Sequence, residues 1–146
     1  CIPLLEELEN ANNFSTYGEK AFKNYHLTGA RGLAISGYDI VLLDGINKLK
    51  EFTKILDFET SCILLLFYYI SILDDTNIVN RTNLETLKEI QILCKNLYEE
   101  NSKSLSKEKI RNEMSKLNDI FIEKNISAGG SADLLILTIF IYILNI

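Results

Sequence analysis

The chain has 146 residues, 47% of them apolar, with 15 basic against 20 acidic side chains and a net charge of −5. That length suggests one domain able to bury a real core, and the negative balance argues against a general nucleic-acid binder, whose affinity comes from neutralised phosphates. Cys1, Cys62 and Cys94 are far apart and lack metal-ligand spacing; Cys62 and Cys94 lie inside apolar helical patterns and read as buried free thiols, and a reducing cytoplasm fits this best.

Thr16 followed by Glu19 is a capping-box signature. It predicts a helix over 17–26 with Phe22 and Tyr25 on one face. His26, the only histidine, reads as a cation at that helix's C-terminus or a surface residue. Gly29 stands where a helix commonly stops. Residues 27–38, "LTGARGLAISGY", hold three glycines in a short stretch and are read as a loop. A helix is expected over 39–52, with Val41, Leu42, Ile46 and Leu49 on one side. Asp57 caps the next, an apolar helix over 58–73.

"DDTNIVNRTN" interrupts this pattern. Thr82 with Glu85 then forms another capping box, for a helix running to about residue 100. Ser106 opens one more, which ends near residue 124, and Ser131 caps a last apolar helix to the C-terminus. Period-2 alternation is scarce. The expected fold is therefore all-α: a single-domain bundle of six or seven helices over 1–146, with glycine-rich loops converging at one end. The apolar runs 62–73 and 134–146 fall short of the roughly 20 residues of a membrane span, and no secretory signal is visible. The chain opens on Cys1 rather than Met and is expected to be part of a larger protein.

Three loops look unlike mere connectors. In the first, Gly29, Gly32 and Gly37 allow φ > 0 or close approach to a ligand, and Arg31 between two of them suits bidentate phosphate contact. The other reading is a flexible connector. In the second, "LDDTNIVNR", Asp74 and Asp75 fall at the end of a buried helix, where the dipole disfavours carboxylates by roughly 0.3–1 kcal/mol each. Arg81, a lysine or Mg²⁺ would offset this; equally, Asp75 caps the following turn and Asp74 is solvated. In the third, "NISAGGSADLL", Gly129, Gly130 and Ser131 precede an apolar helix. A glycine-rich turn at a helix N-terminus is an anion site. Asp133 in the first turn complements the dipole instead, or shares a phosphate through Mg²⁺.

Taken in order, "TGARGLAISGY", "LDDTNIVNR" and "NISAGGSADLLILTIF" resemble the C-terminal half of triphosphoribosyl-dephospho-coenzyme A synthases. The resemblance implies an all-α transferase that joins ATP to 3′-dephospho-coenzyme A and releases adenine. Its product is the precursor of the prosthetic group on the acyl carrier subunit of citrate lyase or malonate decarboxylase. It implies Asp75 or Asp133 as the carboxylate near the reacting hydroxyl. Arg31, Gly32, Asn77, Arg81, Gly129, Gly130 and Ser131 would form the nucleotide-binding set. Asp74, Asp75 and Asp133 would hold the Mg²⁺ that accompanies ATP. The implied partners are these two nucleotides and the missing N-terminal half or a second copy, without nucleic acid or membrane.

The sequence departs from the family pattern at four places. Leu33 stands where Glu usually follows the Arg-Gly pair, Asn80 where His precedes Arg81, Thr82 and Asn83 where a Gly pair follows, and Ala128 where Pro is usual. Leu33 and Asn80 motivate an alternative: a nucleotide-binding or interaction module without catalysis.

Overall fold

The structure, a computed structural model, describes residues 16–144. Among these, all regular structure is helical. The helices are α1 Tyr17–Tyr25, α2 Gly29–Ile35, α3 Ile46–Phe52, α4 Phe58–Ile72, α5 Thr76–Arg81, α6 Leu84–Ser104, α7 Lys107–Glu123 and α8 Gly129–Leu144. The all-α expectation holds.

The centre is α4. Its sequence is apolar on every side, and a helix of that kind belongs inside. Leu64, Phe67 and Ile70 face one buried cluster with Leu87, Ile90 and Cys94 of α6 and Ile110 and Leu117 of α7. Leu65 and Tyr69 face a second, with Val41, Leu49 and Leu134 of α8. Burial pushes the Cys62 thiol up to about 11 and the Cys94 thiol up to about 12, so both stay protonated at neutral pH. Cys1 lies outside the described residues.

Local signals explain most helix starts. Thr16 and Glu19 make the reciprocal capping box, Asp57 accepts from Thr60 N at 3.0 Å, and Ser106 accepts from Lys109 N. His26 is the left-handed C-cap of α1, φ 57°. Four expectations need correcting. Residues 27–38 are not a loop: Gly29–Ile35 is a two-turn helix. Gly29 and Gly37 do take positive φ, 53° and 69°, but Gly32 sits inside the helix, where a Cβ would collide with the Thr28 side chain.

The segment before α3 is a π-helix, Ile40–Gly45. Its wider turn aligns Val41 with Ile46, five residues on, and turns Leu42 out to 46% exposure. Asn83, not Thr82, caps α6, accepting from Thr86 N at 2.8 Å; Thr82 Oγ1 donates instead to Ile78 O. Ser131 is not the cap of α8. It lies inside the helix, and its N–H finds an acceptor in another part of the chain, described below.

Basic residues of α7 clamp the start of α4. Lys107 Nζ lies 2.8 Å from Asp57 and Arg111 Nη2 2.6 Å from Glu59. The Lys107 ammonium first, then the Thr60 N–H, hold the Asp57 carboxyl well below the usual carboxylate range. A depressed folded-state pKa contributes stability above the unfolded value of about 3.9 and loses it as pH falls further. The difference in melting temperature between the native chain and Asp57→Asn is therefore expected at neutral pH and should shrink steadily below about pH 4. A pH-independent difference would assign the effect to packing instead.

Candidate functional site

Leu73 leaves α4 in an extended conformation, and Gln91 of α6 pins this exit by donating to Leu73 O at 2.9 Å and to Asp74 Oδ1 at 3.2 Å. Asp75 is therefore not in the last turn of α4. It is the N-cap of α5, the end where the dipole favours a carboxylate. Of the two readings the sequence left open for Asp75, an unfavourable position needing a cation and a cap of the following turn, the structure bears out the cap.

Asp75 is 1% exposed. Its Oδ1 accepts from Asn77 N at 3.0 Å and Asn77 Nδ2 at 3.2 Å. Its Oδ2 accepts from Ser131 N at 2.8 Å and Ser131 Oγ at 3.0 Å. One carboxylate thus caps two helices, and the chain's own donors occupy its roughly four acceptor sites.

The glycines before Ser131 make this possible. A Cβ on Gly130 would meet the Asp75 carboxylate at 3.2–3.3 Å, and one on Gly129 would meet Asn77 Nδ2 at 2.9 Å. They let the first turn of α8 close onto the first turn of α5. Gly29 approaches the same place: its Cβ would lie 3.3 Å from Thr76 Cγ2.

The three motif segments meet at a cavity of about 230 Å³. Gly29, Leu33 and Tyr38 come from the first, Leu73 to Asn77 from the second, and Gly130, Asp133, Leu134 and Leu137 from the third. Asp74 and Asp133 are exposed carboxylates on this cavity. Asp74 has one neutral donor, Gln91, and no described residue bonds to the Asp133 side chain.

Not every predicted residue is here. Arg81 is exposed and lines a separate groove on the far side of residues 128–130, which Gly129 also lines. The Arg31 backbone lies in α2, and its side chain lies outside the described residues. Among the described residues, no three His, Cys, Asp or Glu side chains gather closely enough to hold a metal by themselves. The set Asp74, Asp75 and Asp133 is thus not a preformed three-carboxylate site, because Asp75 is turned inward to cap two helices. Sequence reading missed Tyr38 as a wall of the cavity; its backbone, at φ 57°, carries no signal that a non-glycine residue gives away.

The departures from the family pattern also find places. Leu33 is in the cavity wall, while Asn80 is exposed on α5. Asn83, at the position of a usual glycine, is committed to the α6 cap.

Comparison with known proteins agrees with the motifs. The family described as CitG, ATP:dephospho-CoA triphosphoribosyl transferase, matches residues 5–146. A probable 2-(5''-triphosphoribosyl)-3'-dephosphocoenzyme-A synthase of Streptococcus equi subsp. equi (strain 4047) is 34% identical over 125 residues, 86% of this chain and 42% of the relative. One of the same name from Streptococcus mutans serotype c is 33% identical over 137 residues, 93% of this chain and 45% of the relative. Protein CitXG of Haemophilus influenzae is 36% identical over 141 residues, 94% of this chain and 30% of the relative. No solved structure matches significantly. The chain spans less than half the length of these relatives. On the family match over nearly its whole length, the chain belongs to the ATP:dephospho-CoA triphosphoribosyl transferase family.

Proposed function

We propose that the chain is the C-terminal part of a transferase that joins ATP to 3′-dephospho-coenzyme A and releases adenine. The observation that carries this is the meeting of three distant motif segments at one cavity, in a chain of this family. The 2′-hydroxyl oxygen of dephospho-coenzyme A forms a bond to C1′ of the ATP ribose. The C1′–N9 bond breaks, and adenine leaves with the electron pair and takes up a proton. The triphosphate stays attached. The product then serves as precursor of the prosthetic group of citrate lyase or malonate decarboxylase, and the work is cytoplasmic.

Asp133 suits the proton-accepting role, because its carboxylate faces the cavity with no donor from the described residues. A carboxylate there also favours the positive charge that develops on the ribose. Asp75, filled by four donors, is the residue that sets the two helix ends in place. Gly129 and Gly130 hold the first N–H groups of α8, which by position have no acceptor within the helix; these suit phosphate oxygens. Mg²⁺ is commonly held by one or two carboxylates together with substrate phosphates. Asp74 fits that pattern and would hold the ion, which supplies charge neutralisation on the triphosphate and leaves Asp133 to take the proton.

Supplied at full length with ATP, Mg²⁺ and dephospho-coenzyme A, the protein is expected to release free adenine. Asp133→Asn should lower the rate about 100-fold or more, with its melting temperature unchanged. Leu33 in the cavity wall favours a second reading, a nucleotide-binding module without turnover. Calorimetric binding of Mg-ATP by well-folded protein that releases no adenine would select it.

The outer face of α8 exposes Ile136, Phe140, Ile143 and Leu144, each near 60% or more. These positions form one helical stripe. Under the proposal, the remainder of the longer polypeptide covers it. No described helix is long and apolar enough to cross a membrane.

A further inference from the structure

Residues 128–130 separate two hollows. Gly130 faces the small acidic cavity, whereas Ala128 and Gly129 line a groove of about 560 Å³ between α4, α7 and the start of α8. Only the groove falls in the range of about 300–1,000 Å³ usual for small-molecule sites. Leu66, Met114, Leu117 and Phe121 form its apolar wall. Its polar groups are different in kind from those of the cavity. Among the described residues that line it, Arg81 is the sole cation and pairs with no described residue, Asn118 and Asn125 add side-chain amides, and there is no carboxylate.

We propose that this groove holds the pantetheine arm of dephospho-coenzyme A, with Arg81 on the diphosphate to which the arm is attached. The inference rests on the transferase reading and divides the two substrates between the hollows. A reaction that joins two nucleotides needs two sites that share a wall. The triphosphate, with its metal, belongs with Asp74, Asp133 and Gly130. The groove lacks an acid to bind a metal, so it does not suit that substrate. It does suit a long, mostly apolar arm with amide groups, because the asparagines supply donors and acceptors and the wall removes methylenes from water. At one end, the guanidinium meets the phosphates in the fork geometry that arginine offers.

Met114 is the only methionine of the chain and lies in this groove, so a ¹³C-methyl label reports on the groove alone. In the 146-residue chain, 3′-dephospho-coenzyme A should shift this resonance and Mg-ATP should leave it in place. Ala132→Phe, which fills the groove, and Asn118→Glu, an exposed change that leaves packing untouched, should each weaken dephospho-coenzyme A binding at least tenfold by calorimetry. Neither should alter Mg-ATP affinity. Binding of dephospho-coenzyme A with Met114 unmoved and both variants at native affinity would overturn the groove assignment and leave the transferase reading standing. So would binding of Mg-ATP alone. If the chain binds neither nucleotide and the full-length protein releases no adenine, both fall together.

Discussion

Asp75→Ala is expected to destabilise the fold by about 3–5 kcal/mol, more than any other carboxylate substitution in the chain. Hydrogen bonds to a charged group are worth about 1.5–3 kcal/mol each, and this side chain accepts four, two of them from Ser131, which is fully buried. Alanine would leave the Ser131 N–H and hydroxyl without an acceptor and uncap α5 as well. Total stabilities of about 5–15 kcal/mol are usual for domains, so the loss would be plain in a urea midpoint.

Asp75→Asn is nearly isosteric but should recover less than half of the loss. Its single carbonyl oxygen can serve one helix end only, and its NH₂ must then face the other end's donors. Equal stability of Asp75→Asn and the native chain would show that the carboxylate does not hold both ends. Gly130→Ala tests the same joint from the other side. Its Cβ would press at 3.2–3.3 Å on a carboxylate fixed by four bonds, and such overpacking costs about 1–3 kcal/mol. Gly129→Ala should cost less, because its closest contact is the end of the exposed Asn77 side chain, which can swing away.

This joint also marks the limit of what the sequence discloses. Asp57, Ser106 and the Thr16–Glu19 pair are local signals, each acting within one turn, and they locate helix starts without further information. The shared cavity was legible too, since glycine and aspartate in three separate segments are costly unless those segments meet something. Asp75 was legible only as a choice between cap and ligand. Its second partner, Ser131, lies 56 residues further on, and no local pattern reports a bond of that range. The helix Gly29–Ile35 was hidden for the opposite reason. Its glycines signal a loop, yet Gly32 is there to clear Thr28 and Gly29 to approach Thr76; tertiary packing overrides propensity. The groove residues Met114 and Asn118 gave no signal either, because they belong to an ordinary amphipathic helix.

Gly45→Ala should also be strongly destabilising, although propensity argues otherwise. Alanine in place of glycine within a helix gains about 1 kcal/mol. Against this, the new Cβ would overlap the Tyr69 hydroxyl and lie 3.0 Å from Tyr69 Cζ and 3.2 Å from Thr138 Oγ1. Tyr69 is fully buried and cannot swing aside, and its hydroxyl is 2.5 Å from Thr138 Oγ1. Overpacking of about 1–3 kcal/mol and a lost hydrogen bond of about 1 kcal/mol outweigh the gain, for a net loss of about 1–3 kcal/mol. Tyr69→Phe alone should cost only about 1 kcal/mol, because Thr138 still donates to Leu134 O at 2.8 Å. In the double variant the colliding oxygen is absent, so it should be more stable than Gly45→Ala, with a coupling of about 1–2 kcal/mol by double-mutant cycle. Strict additivity would mean that the hydroxyl is not what requires glycine at position 45. Thr138 lies on α8, the helix whose first turn walls the candidate cavity. A repacked Tyr69 would therefore also displace Asp133 and Gly130, and Gly45→Ala should weaken Mg-ATP binding as well as stability.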